Sequence, residues 1–204
     1  MKLLHIDSSI LGAHSVSRLL SAEIVARQVA LHPGLEVVYR DLAADGALHL
    51  SGAHMAAWQG GPVSSETLGQ DLALGGALVD ELFAADIIVI GAPMYNFSIP
   101  SQLKAWIDRV VVAGKTFRYT EIGTVEGLLP KGKTVIIASA RGGAYTEGSP
   151  VAFLDHHERY LTGVLSFIGL DNVTIVRAEG LAMGPDAKEA AIAAARTQIA
   201  ALAA

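Results

Sequence analysis

This chain contains no cysteine, which excludes disulfides, thiolate metal sites and every mechanism built on a cysteine nucleophile, the Cys-x5-Arg phosphatases among them. Any chemistry falls to other side chains or to a cofactor. Long hydrophobic runs are missing too. No stretch approaches the roughly 20 uninterrupted apolar residues of a membrane helix, and the opening MKLLHIDSS turns polar too early for a signal peptide. A cytoplasmic protein without a membrane partner is the expectation. Basic residues are few and scattered, 15 Lys and Arg against 20 Asp and Glu for a net charge of -5, so the footprint of a nucleic-acid binder is absent. The Gly-x4-Gly-Lys-Ser/Thr pattern of triphosphate binders and the dinucleotide fingerprint are also lacking.

The histidines do not compensate as metal ligands. His14, His49, His54, His156 and His157 show no His-x3-His or His-Glu-x2-His spacing, and neighbours such as His156 and His157 point to different sides of a helix, so no metal is expected. His5 alternates with the apolar positions of the first strand and reads as a hydrogen-bonded core residue. Asp7 and Asp41 fall at strand ends, and without a glycine fingerprint Asp41 is a poor ribose ligand. Asp155, Glu158 and Arg159 read as a solvated helical face or an interface rim.

What is present is an apolar chain, 51% hydrophobic over 204 residues, which suits a single domain spanning 1–204. Strand-like runs alternate with helical patterns five times. KLLHID, EVVYRDL, DIIVIGA, KTVIIASA and VTIVRAE are each followed by a longer amphipathic or alanine-rich stretch, the fourth of these being VAFLDHHERYLTGVLSFI over 151–168. Continuous β-branched runs suit strands covered on both faces, so the pattern predicts an α/β, doubly wound, five-stranded parallel sheet in the order 2-1-3-4-5. Residues 42–67 and 113–132 exceed what such a fold requires and are expected to shape a pocket. Ligands of these sheets bind beyond the carboxyl ends of the strands at the switch point, which singles out the loops after the first, third and fourth strands.

The first loop, DSSILGAHSVSRLL, surrounds a helix start with Ser8, Ser9, Ser15 and Ser17. Free N–H groups and hydroxyls there suit a phosphomonoester, and they equally suit plain helix capping. The third loop, GAPMYNFSIP, places Met94, Tyr95 and Phe97 where water would normally meet them. Pro93 stiffens its entry and Pro100 marks a helix start, so Met94 to Phe97 form a fixed ledge for a flat ring, with the amides of Asn96 and its neighbours available at the rim. A dimer contact made by exposed aromatics is the competing explanation. The fourth loop, SARGGAYTEGSP, brings Gly142 and Gly143, which permit close backbone approach to a planar ligand or simply make a turn.

Taken together, PMYNFSIPSQLKAWIDRV, GKTFRYTEIGTVEGLLPKGK, SARGG and SFIGLDNVTIVRAEG resemble the FMN-dependent NADH azoreductase family along essentially the whole chain. The resemblance implies a flavodoxin-like homodimer that binds FMN noncovalently, with active sites at the subunit interface and activity on quinones and azo compounds. Carried over by position, it implies phosphate contacts from Ser9, Ser15, Val16 and Ser17. It implies isoalloxazine contacts from Pro93, Met94, Tyr95, Asn96 and Phe97 together with the turn from Ser139 through Ala140 and Arg141 to Gly142 and Gly143. Two positions depart from the family pattern: Ala140 stands where Ser or Thr often precedes Arg-Gly-Gly, and Tyr145 stands where some relatives have His. Tyr145 becomes the candidate proton or hydrogen-bond donor.

The implied reaction has two half-reactions, hydride from NADH to flavin N5 and then two electrons to the acceptor, with ping-pong kinetics. Phe117 and Tyr119 are the candidates for the acceptor-side wall, Phe117 from the second subunit, unless their hairpin is purely structural. A flavodoxin-type carrier would need a strongly acidic docking face and no substrate-shaping insertion, whereas this chain is mildly acidic with two insertions. A cofactor-free interaction module would use the ledge as a partner surface.

Overall fold

A computed structural model describes residues 1–203. Five parallel strands form the central sheet: β1 (Lys2–Asp7), β2 (Glu36–Asp41), β3 (Ile87–Pro93), β6 (Thr134–Ala140) and β7 (Val173–Ala178). Their spatial order is β2-β1-β3-β6-β7, which is the expected 2-1-3-4-5 once the small antiparallel hairpin of β4 (Phe117–Tyr119) and β5 (Val125–Gly127) is set aside. β3 and all of β6 beyond its first residue are buried, as strands covered on both faces must be.

Helices divide between the two faces according to where their apolar residues fall. On one side α1 (Val16–Leu31) and α6 (Pro185–Ala200) pack Leu20, Ile24, Ala195 and Ile199 against Leu3, Val89 and Ile136. On the other, α3 (Glu66–Ala84), α4 (Ser101–Val110) and α5 (Glu158–Phe167) pack Leu78, Leu82, Leu103, Trp106 and Leu161 against Ile88, Ile90 and Ile137. A short α2 (Gly52–Trp58) occupies the 42–67 segment.

One detail differs from the sequence expectation. The helix predicted over 151–168 begins only at Glu158, because Asp155 Oδ1 accepts from the His157 and Glu158 amides at 3.1 Å each and turns the chain there. The hairpin is seated backbone to backbone: a Cβ at Gly127 would stand 2.2 Å from the Gly169 nitrogen, so only glycine lets β5 lie against the end of α5.

Candidate cofactor site

One cavity opens beyond the carboxyl ends of β1, β3 and β6, and its floor comes from the first loop. Ser9, Ser15 and Ser17 are 0, 5 and 0% exposed, with the Ser15 and Ser17 hydroxyls 3.0 Å apart. Ser15 caps α1, its Oγ accepting from the Arg18 amide at 3.2 Å. Capping and ligand binding are therefore compatible here. The amides of Val16 and Ser17, in the first turn, have no intrahelical acceptor and point to the same side. This donor set of hydroxyls and free amides fits a phosphomonoester.

The loop is braced from behind. Arg18 donates through Nε and Nη2 to the Ser9 carbonyl at 3.1 and 2.8 Å, and its Nη1 and Nη2 grip Asp41 at 2.8 and 2.6 Å. Arg18 holds the Asp41 carboxyl below the usual carboxylate range, so Asp41 is a brace rather than a ligand. Asp7 accepts from Ser21 Oγ at 2.7 Å and from Tyr39 at 3.1 Å, and His5 meets Ser21 Oγ at 3.0 Å, as expected for a bonded core histidine. Gly91 packs so tightly here that a Cβ would lie 2.3 Å from Asp7 Oδ1.

The ledge closes the second side. Tyr95 and Ser98 exchange backbone bonds of 2.9 and 3.1 Å around Asn96 and Phe97, whose φ angles are 47° and 71°. Both central residues are left-handed, the geometry of a tight hairpin turn that normally selects glycine. Tyr95 ties this turn to the first loop: its hydroxyl meets Ser9 Oγ at 3.1 Å and accepts from the Ile10 amide at 3.2 Å. Pro93, Met94 and Tyr95 line the cavity, whereas Asn96 and Phe97 are exposed and do not, Asn96 opening instead on a neighbouring cavity with Ser98, Ser101 and Tyr160. Phe97 meets Tyr145 edge-on, ring centres 6.0 Å apart, which joins the ledge to the fourth-strand loop.

From that loop Ala140 and Gly142 line the cavity, with Gly143 next to them. Ser139 and Arg141 do not. Strand alternation turns both side chains to the opposite face, where Ser139 Oγ donates to Glu158 at 2.7 Å and Arg141 is fully buried. Arg141 Nη1 reaches Asp155 at 2.8 Å, while Glu158 and Glu179 stand 3.3 and 3.0 Å from Nη2, near enough to neutralise it although out of line with its N–H bonds. Asp155 and Glu158 are thus an internal ion-pair network and not the expected solvated face; Arg159 alone of the three is exposed. Glu179 then accepts from the Tyr145 amide at 3.1 Å and the Thr146 hydroxyl at 2.7 Å, anchoring the turn.

Phe117 and Tyr119 are not brought to this cavity within the chain. Phe117 is buried, 4.7 Å from the Phe167 ring, whereas Tyr119 is 70% exposed. Phe117 instead lines a separate cavity of about 690 Å³ with Met55, Trp58, Val63 and Arg109, beneath the 42–67 segment. The cofactor-side cavity has a fourth side that the three-loop expectation missed: Leu181, Ala182 and Lys188 from the β7–α6 connection.

The model of the flavodoxin-like fold family matches residues 1–203. The chain is 57% identical over 203 residues, 99% of each chain, to the FMN-dependent NADH:quinone oxidoreductase of Xanthomonas campestris pv. campestris. It is 54% identical over 204 residues, 100% of each, to the enzyme of the same name from a Bradyrhizobium species. Among solved structures, an azoreductase from Bacillus anthracis superposes with a TM-score of 0.85 at 30% identity, covering 98% of this chain and 97% of its own.

Proposed function

This chain belongs to the flavodoxin-like family whose model spans residues 1–203, and on that footing we propose that it is an FMN-dependent NADH oxidoreductase reducing quinones and aromatic azo compounds. The observation that carries the proposal is the union, in one concavity, of buried hydroxyls at a helix N-terminus with an apolar ledge and a glycine turn. The relatives that share more than half of its residues are named for FMN-dependent NADH:quinone reduction, and the Bacillus anthracis structure for azo reduction, which supports this reading.

The Ser9, Ser15 and Ser17 hydroxyls and the Val16 amide would hold the phosphate. Met94, Tyr95, Asn96 and Phe97 would hold the ring together with the backbone of Gly142 and Gly143, whose amides would favour negative charge on it. When bound, FMN supplies hydride acceptance at N5 from NADH and two-electron delivery to the acceptor, which makes the exchange ping-pong. Tyr145 offers its O–H to the acceptor as it gains electrons. The ledge and the Tyr145 loop keep water from the stacking face. Two copies of the chain pair so that each hairpin leans over the other's cradle, Tyr119 presenting its exposed ring as the acceptor wall and Phe117 anchoring the hairpin beneath it.

Stopped-flow absorbance of the FMN-loaded protein tests this. Anaerobic NADH should bleach the flavin, and a benzoquinone, then separately an azo dye, should restore its colour. Bound flavin that NADH fails to bleach would overturn the assignment in favour of an electron carrier.

A further inference from the structure

We infer that Lys188 supplies the positive charge which the phosphate end of the cradle otherwise lacks, and so sets the preference for a phosphorylated over an unphosphorylated flavin. The inference rests on the FMN assignment above and concerns a residue outside the three loops that define it.

A phosphomonoester brings about 1.5 to 2 negative charges at neutral pH, while the hydroxyls of Ser9, Ser15 and Ser17 and the first amides of α1 are neutral, and the basic side chains lining the cavity are the exposed His14 and Lys188. The nearest guanidinium cannot answer that charge, because Arg18 spends its N–H groups on the Ser9 carbonyl, Tyr39 and Asp41. Lys188 lines the same cavity, is exposed, and forms no ion pair among the described residues. No carboxylate competes for it.

Its position is fixed by backbone rather than by chance. Gly180, Leu181 and Ala182 donate to the carbonyls of Gly143, Arg141 and Gly142 at 3.0, 3.1 and 2.9 Å, so the β7–α6 connection is zipped onto the glycine turn. Gly184, at φ 123°, then starts α6 with Pro185 in its first turn, and Lys188 donates its amide to the Gly184 carbonyl at 3.0 Å. α6 packs alongside α1, and Lys188 in its first turn lines the same cavity as Ser15, Val16 and Ser17 at the start of α1.

Titration of the flavin-free protein with FMN and with riboflavin, followed by quenching of flavin fluorescence, separates charge recognition from stacking. The wild-type chain should prefer FMN. Lys188→Met should weaken FMN about tenfold, the weight of one charge-assisted hydrogen bond, while leaving riboflavin unchanged; Lys188→Arg should restore the preference, and added salt should erode it in the wild type more than in Lys188→Met. An unchanged ratio of FMN to riboflavin affinity in Lys188→Met overturns the inference while leaving the flavin assignment intact. A wild-type chain that binds neither flavin overturns both. Because the riboflavin arm reports any general damage to the cradle, a loss shared equally by both flavins also counts against a charge role.

Discussion

Arg109 and Arg141 are the two guanidinium groups buried almost completely among the described residues, 2% and 0% exposed, and they are neutralised in different ways. Arg109 works through a single nitrogen: Nη2 donates to the Leu48 carbonyl at 2.7 Å and to Asp71 at 2.5 Å, with His54 Nε2 at 3.0 Å. Asp71 in turn accepts from the Leu48 amide and from His54, and these bonds with Arg109 outweigh burial and keep its carboxyl below the usual range. The cluster latches the 42–67 segment to α3 and α4. Arg141 instead faces three carboxylates from two segments, Asp155 and Glu158 around the start of α5 and Glu179 after β7, with Arg177 sharing Glu158 at 2.5 Å. A buried charge is tolerated only where it is paired. One pair suffices to fasten an insertion, whereas the cradle is held by a hub on which several strand and helix ends converge.

Removing each arginine is the strongest way to break this comparison. Arg141→Met leaves Asp155 and Glu179 without a cation while Glu158 keeps Arg177, and should cost about 5 kcal/mol, against about 3 kcal/mol for Arg109→Met, where one carboxylate keeps its histidine. Urea denaturation reads both. FMN binding should fail in Arg141→Met and survive in Arg109→Met; equal losses would show that the two clusters are interchangeable fasteners.

The histidine beside each arginine gives the next effect. His54 is bonded at both ring nitrogens, to Ser51 and to Asp71. His157 is 0% exposed, and burial pushes its pKa down to about 4 against the weaker pulls of Glu158, Asp155 and the Pro93 carbonyl. Between the ordinary value near 6.5 and about 4, the unfolded chain binds a proton that the folded chain refuses, so stability falls as pH falls across that window, by about 3 kcal/mol. Asp155 and Glu158 act lower down. For each, hydrogen bonds and nearby guanidinium charge outweigh the upward push of burial, and their contribution is lost as pH drops from about 4 through their lowered values. Thermal melts of His157→Leu should therefore flatten between pH 6.5 and 4 while keeping the steeper loss below.

The smallest effect concerns the ledge. The Phe97 carbonyl accepts from the His156 amide at 3.1 Å, one residue from Asp155, so the hub also steadies the left-handed turn. Phe97→Gly should relax that turn and gain about 0.5 to 1 kcal/mol in stability while weakening flavin binding. A loss of stability would mean that the Phe97 ring contributes more than its backbone costs.

The sheet was legible in the sequence because fully buried strands announce themselves as unbroken β-branched runs. The loops after β1, β3 and β6 were legible because their serines, aromatics and glycines violate what a solvated loop needs. The hub was not. Asp155 and Glu158 look like a wet helix face when judged by local pattern, since their partners Arg141 and Arg177 lie at the end of one strand and on another, and only the fold brings them together. Strand alternation through Ser139, Ala140 and Arg141 did carry the necessary information: with Ala140 toward the cradle, its two neighbours had to face away. Lys188 escaped because a lysine in the first turn of an alanine-rich helix has no local feature to mark it.

The cradle takes one side each from regions around residues 9, 95, 142 and 182–188. During synthesis a ribosome must therefore release α6 before a complete binding surface exists, and a nascent chain halted after β6 would carry the serine floor and the ledge without their closing side. Flavin capture becomes a report that the last crossover of the sheet has been made, which ties acquisition of colour to that step rather than to the early docking of any one loop.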